Sequence, residues 1–192
     1  MGNGKNHGYG HRQELGDVTL ILGGARSGKS RLGETIISGN GQSAIYIATA
    51  QAHDDEMRQR IALHQSRRGD NWRTVESPLE LSLEPSRLLA EGLPVLDDCL
   101  TLWLSNIMLA ARDIEAEVDN LSNCVGEVPA TLVLVSNETG LGIVPDNALA
   151  RRFRDASGLM NQKIAAAADY VLFVAAGLPL VMKGRNPALS TV

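Results

Sequence analysis

The sequence predicts an α/β fold, a mainly parallel sheet flanked by helices on both faces. Two observations carry that expectation. Short apolar runs alternate along the chain with longer segments of helical character, as a parallel sheet with crossover helices requires. The strongest runs, such as Leu132-Val133-Leu134-Val135, are apolar throughout rather than at every second residue, the pattern of strands buried on both faces.

Val18-Thr19-Leu20-Ile21-Leu22 is the first such run and ends at Gly23-Gly24. Residues 30–38 read as a helix that runs out at Gly39-Asn40-Gly41. A second strand is expected over 44–49. Residues 54–68 have helical character, with acids first and Arg67-Arg68 last, the order a helix dipole favours. A strand at 72–76 and a helix at 78–90 follow. Pro94-Val95-Leu96-Asp97-Asp98 is a short strand ending in acid, and 100–111 and 113–125 look helical. The run at 130–136 is the clearest strand, and a Gly-rich loop at 137–145 follows it. A long helix at 147–168, a strand at 170–175 and a short terminal strand at 178–183 complete the series.

The 192 residues suffice for one domain with a substantial core. That domain is expected over 18–184, after a flexible leader at 1–17 and before a short loose tail at 185–192. There are no repeats, no low-complexity tract and no linker. The net charge of −4 offers no basic field for nucleic acid or an anionic membrane. No stretch is long and apolar enough to span a bilayer, and the Gly-, Asn- and His-rich beginning lacks the apolar region of a signal peptide. Cys99 and Cys124 are too far apart in sequence to suggest a zinc site or a disulfide framework. They read as thiols in a reducing cytoplasm.

Gly23-Gly24-Ala25-Arg26-Ser27-Gly28-Lys29-Ser30 matches G-x-x-x-x-G-K-[ST] in full, between a predicted strand and a predicted helix. The chemistry explains the pattern. Glycines let backbone N–H groups converge on a phosphate, and the helix N-terminus adds partial positive charge. Lys29 is placed to reach the β- and γ-phosphates and the Ser30 hydroxyl to ligate Mg²⁺. The expected fold is therefore of the P-loop NTPase (RecA-like) kind. Such folds hold Mg²⁺ with an acid at a strand end. Asp97 and Asp98 both stand there, and Asp98 is the chosen residue, although a shift of one position would turn its face. Glu138, in the loop after the clearest strand, is either a group that orients a hydroxyl or acts as a base, or part of a simple connector.

His64 lies on the predicted 54–68 helix with Arg60 at i−4 and Arg68 at i+4. Flanking cations favour a neutral imidazole, suited to attack a phosphate; taken locally, a surface histidine on an arginine-rich helix is the plainer alternative.

Together these motifs resemble the bifunctional adenosylcobinamide kinase / adenosylcobinamide-phosphate guanylyltransferase family of cobalamin biosynthesis. The resemblance runs through the P-loop and Arg31, then 46–51, Asp54-Asp55-Glu56-Met57, Arg60-Ile61 with His64, 72–76 and 98–103. It continues through Val135-Ser136-Asn137-Glu138-Thr139-Gly140-Leu141-Gly142 to 145, then 151–155 and Asn161-Gln162, and so covers about residues 18–184. It implies that a nucleoside triphosphate, ATP or GTP, phosphorylates the aminopropanol hydroxyl of adenosylcobinamide. GTP then gives GMP to adenosylcobinamide-phosphate through a guanylyl-histidine, for which His64 is the matching position. It further implies Gln51, Arg68, Gly69, Asp70, Asn71 and Glu76 around the guanine nucleotide, and a homotrimer with sites between subunits. The competing readings are a single-function P-loop small-molecule kinase or NTPase and, with little support from an acidic chain, a nucleic-acid motor.

Overall fold

The computed structural model describes residues 17–39, 42–50, 69–82, 84–126 and 128–189. Among these residues seven strands form one sheet: β1 (Val18–Gly23), β2 (Ala44–Ala48), β3 (Trp72–Glu76), β4 (Val95–Asp98), β5 (Leu132–Asn137), β6 (Tyr170–Ala175) and β7 (Leu178–Lys183). Their spatial order is β3-β2-β4-β5-β1-β6-β7. The first six are parallel and β7 pairs antiparallel with β6 at the edge. The helices are α1 (Lys29–Ser38), α2 (Glu84–Leu89), α3 (Leu100–Leu109), α4 (Ile114–Val125) and α5 (Ala148–Ala167).

The alternation of side chains along the central strands separates two cores. Leu20, Leu22, Val95, Leu132 and Leu134 face the layer that contains Trp103, Leu104 and Ile107 of α3, Leu121 of α4, and Met160 and Ile164 of α5. Ile21, Leu96, Val133 and Val135 face the opposite way, toward Ile37 of α1. Burying a Leu or Ile this completely contributes about 1.5–3 kcal/mol, so the continuous apolar runs seen in the sequence are what hold the sheet between its two layers. α1 lies close against the sheet at Gly33, where an added Cβ would come within 2.8 Å of the Leu96 side chain.

The helix expected over 78–90 is shorter than predicted: α2 begins at Glu84. The preceding carbonyls are bound elsewhere. Leu79 O accepts a hydrogen bond from Trp103 Nε1 (3.0 Å) and Pro78 O accepts one from Asn106 Nδ2 (3.0 Å), both from α3. The predicted 54–68 helix lies outside the described residues. The segment after Gly184, expected as a loose tail, forms a 3₁₀ turn (Pro187–Leu189) that contacts α1, and Arg185 lies 5.6 Å over the Tyr170 ring. Among the described residues, no helix is long and apolar enough to cross a membrane.

Candidate active site

The G-x-x-x-x-G-K-S sequence forms the turn from β1 into α1, at the carboxyl end of the sheet. Two of its glycines are there for geometric reasons. Gly23 has φ 152°, and a Cβ on it would fall 2.4 Å from the Val174 carbonyl oxygen. Gly28 adopts φ 103° as the N-cap of α1, a conformation that suits glycine. The loop is braced on both sides. Gly177, in the β6–β7 turn, donates its N–H to Ser27 O (2.9 Å), and Glu138 N donates to Gly23 O (3.0 Å).

The start of α1 differs from those of the two longest helices among the described residues. Asp113 caps α4 by accepting from Ala116 N (3.2 Å), and Asn147 caps α5 by accepting from Ala150 N (2.7 Å). α1 has no side-chain cap and no acid in its first turn. Its first N–H groups therefore keep their capacity to bind an anion. Lys29, 6% exposed, donates through Nζ to Gly24 O at 2.7 Å. Burial lowers the pKa of this ammonium, and the nearby Asp98 charge works in the opposite direction. Ser30 is half-buried in the same turn.

The adjacent acids divide between the two faces of the sheet. Leu96 and Asp98 share the face covered by α1, whereas Val95 and Asp97 share the other. Asp98 accepts a hydrogen bond from the Tyr46 hydroxyl (3.3 Å). Asp97 is 0% exposed and neither carboxyl oxygen has a hydrogen-bond partner among the described residues. Burial, with the Asp98 charge adding to it, pushes its pKa well above the usual carboxylate range and favours the neutral acid. Of the two, Asp98 is therefore the one presented to the P-loop side. Hard oxygen donors, the Ser30 hydroxyl and the Asp98 carboxylate, fit a Mg²⁺ ion shared with phosphates.

β5 lies between the P-loop strand and the acid strand. Its last residues are held by a polar chain that sequence spacing does not reveal. Thr101 Oγ1 accepts from Asn137 N (2.6 Å) and pairs with Ser136 Oγ (3.3 Å). Ser136 donates to Asn161 Oδ1 (2.7 Å), and Asn161 Nδ2 donates to Asn137 O (3.3 Å). Glu138 turns toward its own loop, its carboxylate accepting from Gly140 N at 2.5 Å, which favours the connector reading.

The other predicted residues are distributed unevenly. Gly69, Asp70 and Asn71 are exposed and precede β3, at the amino edge of the sheet, where Asn71 O accepts from Ala44 N (2.9 Å). Because β3 runs parallel to β1, this edge is the one opposite the P-loop. Glu76 is at the carboxyl edge, but four strand spacings from β1, about 19 Å across the sheet. Within one chain these four residues do not meet the P-loop. His64, Gln51 and Arg68 lie outside the described residues. Among the described residues neither Cys99 nor Cys124 is in a disulfide, and burial pushes the Cys99 thiol up to about 12.

The sequence model of the cobinamide kinase / cobinamide phosphate guanyltransferase family matches residues 19–182. A Pseudomonas aeruginosa protein named bifunctional adenosylcobalamin biosynthesis protein CobP is 49% identical over 168 residues, spanning 86% of this chain and 97% of that one. A Salmonella typhimurium protein named bifunctional adenosylcobalamin biosynthesis protein CobU is 41% identical over 181 residues, spanning 86% and 99%. A solved structure from Pyrococcus horikoshii shares the fold at TM-score 0.53 and 12% identity, covering 89% of this chain and 88% of that one. The P-loop, its facing acid and a match over nearly the whole sheet lead to one conclusion: the chain belongs to the cobinamide kinase / cobinamide phosphate guanyltransferase family.

Proposed function

We propose that the chain is a bifunctional enzyme of cobalamin biosynthesis that uses one nucleotide cradle for two transfers. The observation that carries the reading is the uncapped start of α1, with buried Lys29 beside it and Asp98 on the same face of the sheet. In the first transfer the aminopropanol hydroxyl of adenosylcobinamide attacks the γ-phosphorus of ATP or GTP. The new O–P bond forms as the bond to the β-phosphate oxygen breaks, and the hydroxyl proton leaves. The P-loop N–H groups and Lys29 stabilise charge on the phosphate oxygens. Ser30 and Asp98 would hold Mg²⁺, which when bound supplies further charge neutralisation.

In the second transfer a neutral His64 nitrogen attacks the α-phosphorus of GTP and displaces pyrophosphate. The phosphate of adenosylcobinamide-phosphate then attacks the same phosphorus, breaking the N–P bond. Adenosylcobinamide-GDP is released and His64 regenerated. Gln51, Arg68, Gly69, Asp70, Asn71 and Glu76 are the proposed guanine-nucleotide residues. The position of Gly69, Asp70 and Asn71 at the far edge of their own sheet supports their serving a neighbouring subunit's nucleotide in a homotrimer. Exposed apolar side chains also favour assembly: Leu178, Leu180, Val181 and Met182 on edge strand β7, and Leu141, Ile143 and Val144 after β5. A cytoplasmic setting suits the nucleotide substrates and two cysteines that form no disulfide among the described residues.

Adenosylcobinamide, GTP and Mg²⁺ incubated with the protein should yield first the phosphate and then the GDP derivative, followed by mass spectrometry. Lys29→Ala should slow the first step by at least roughly a hundredfold. Undiminished phosphorylation in that variant removes the cradle assignment.

A further inference from the structure

We propose that the side-chain amide of Asn137 hydrogen-bonds the terminal phosphate of the bound nucleotide and so distinguishes a triphosphate from a diphosphate; this rests on the P-loop reading above. Asn137 ends β5, the strand between the P-loop strand and the acid strand. It is the register partner of Gly23, the first residue of the cradle, one strand spacing away, about 4.8 Å. On its other side, Asp98 pairs with Val135, two residues earlier on β5.

The face is set by packing. Leu134 belongs to the core beneath α3–α5, and Ser136 points the same way, since its hydroxyl donates to Asn161 of α5. Val133 and Val135 face α1. Alternation therefore turns the Asn137 side chain to the α1 side, with Lys29 and Asp98. There it is half-buried, and its amide makes no hydrogen bond among the described residues.

The backbone of this residue, by contrast, is held on both sides. Its N–H is bound by Thr101 and its carbonyl by Asn161. Fixing the main chain while leaving the side-chain amide unpaired is the arrangement expected of a preorganised donor. An amide NH₂ carries two donor hydrogens and takes no proton, so it suits phosphate oxygens at any pH at which the nucleotide is charged. Thr101, Ser136 and Asn161 are then positioning residues.

The test uses the full chain with Mg²⁺ and the α,β-methylene analogues of GTP and GDP, which cannot release pyrophosphate, titrated by calorimetry. Asn137→Ala should lower the preference for the triphosphate analogue roughly tenfold to a hundredfold, the worth of a hydrogen bond to a charged group. Affinity for the diphosphate analogue should not change. The kinase kcat should fall with the KM for adenosylcobinamide unaltered. Asn161→Ala should shift the same ratio in the same direction by less; an unshifted ratio removes the positioning role. Lys29→Ala separates the two levels of the argument. If it leaves both affinities intact, the P-loop reading itself falls. If it abolishes binding while Asn137→Ala keeps the wild-type ratio, the Asn137 assignment alone is overturned.

Discussion

Asp97 and Asp98 show how far two neighbouring residues of one type diverge once a strand fixes their faces. Asp98 looks toward α1 and the Tyr46 hydroxyl, whereas Asp97 is sealed in the opposite layer without a partner among the described residues. Asp98→Asn should raise the Mg²⁺ needed for half-maximal kinase activity roughly tenfold to a hundredfold, while Asp97→Asn should leave that requirement unaltered. Equal effects in a Mg²⁺ titration of the two variants would contradict the division of faces. The P-loop was readable because its eight residues are contiguous and each does a local job. The contacts that complete the site were not readable. Tyr46 meets Asp98 across 52 positions and Ser136 meets Asn161 across 25, separations at which no spacing rule operates.

The elements were legible to the extent that local burial decides them. Apolar runs marked β1, β2, β4, β5 and β6 because each is buried between two layers. The helix predicted over 78–90 lost its first turns because Trp103 and Asn106, on a later helix, take the carbonyls a helix would use. α1 couples packing to function: its first residue is Lys29, and its fifth, Gly33, is pressed against the sheet. Gly33→Val should therefore cost about 1–3 kcal/mol of stability by overpacking. It should also weaken nucleotide binding, because lifting α1 displaces the cradle. Urea midpoints with and without nucleotide check this, and a variant with wild-type midpoint and affinity would show that the close approach is not needed.

At the scale of the molecule, the class of fold was legible and the strand order was not. Nothing local says that β5 inserts between β1 and β4, yet that insertion brings Asn137 beside the cradle. Nor does the sequence show that Gly69, Asp70 and Asn71 begin a parallel strand and so lie at the edge away from the P-loop. An assembly that joins these edges between subunits should have three times the chain mass by light scattering. Leu180→Asp on exposed β7 should reduce it to the mass of one chain, and a variant that stays assembled would assign the contact to another surface. The central claim is that one small P-loop protein handles its nucleotide at the α-phosphate as well as at the γ-phosphate. It is tested most directly by incubating the protein with Mg²⁺ and GTP labelled at the α-phosphate, then denaturing it. The account predicts an acid-labile, alkali-stable label on the wild-type chain that is absent from His64→Ala; an unlabelled wild-type chain, or a label that survives in His64→Ala, would contradict it.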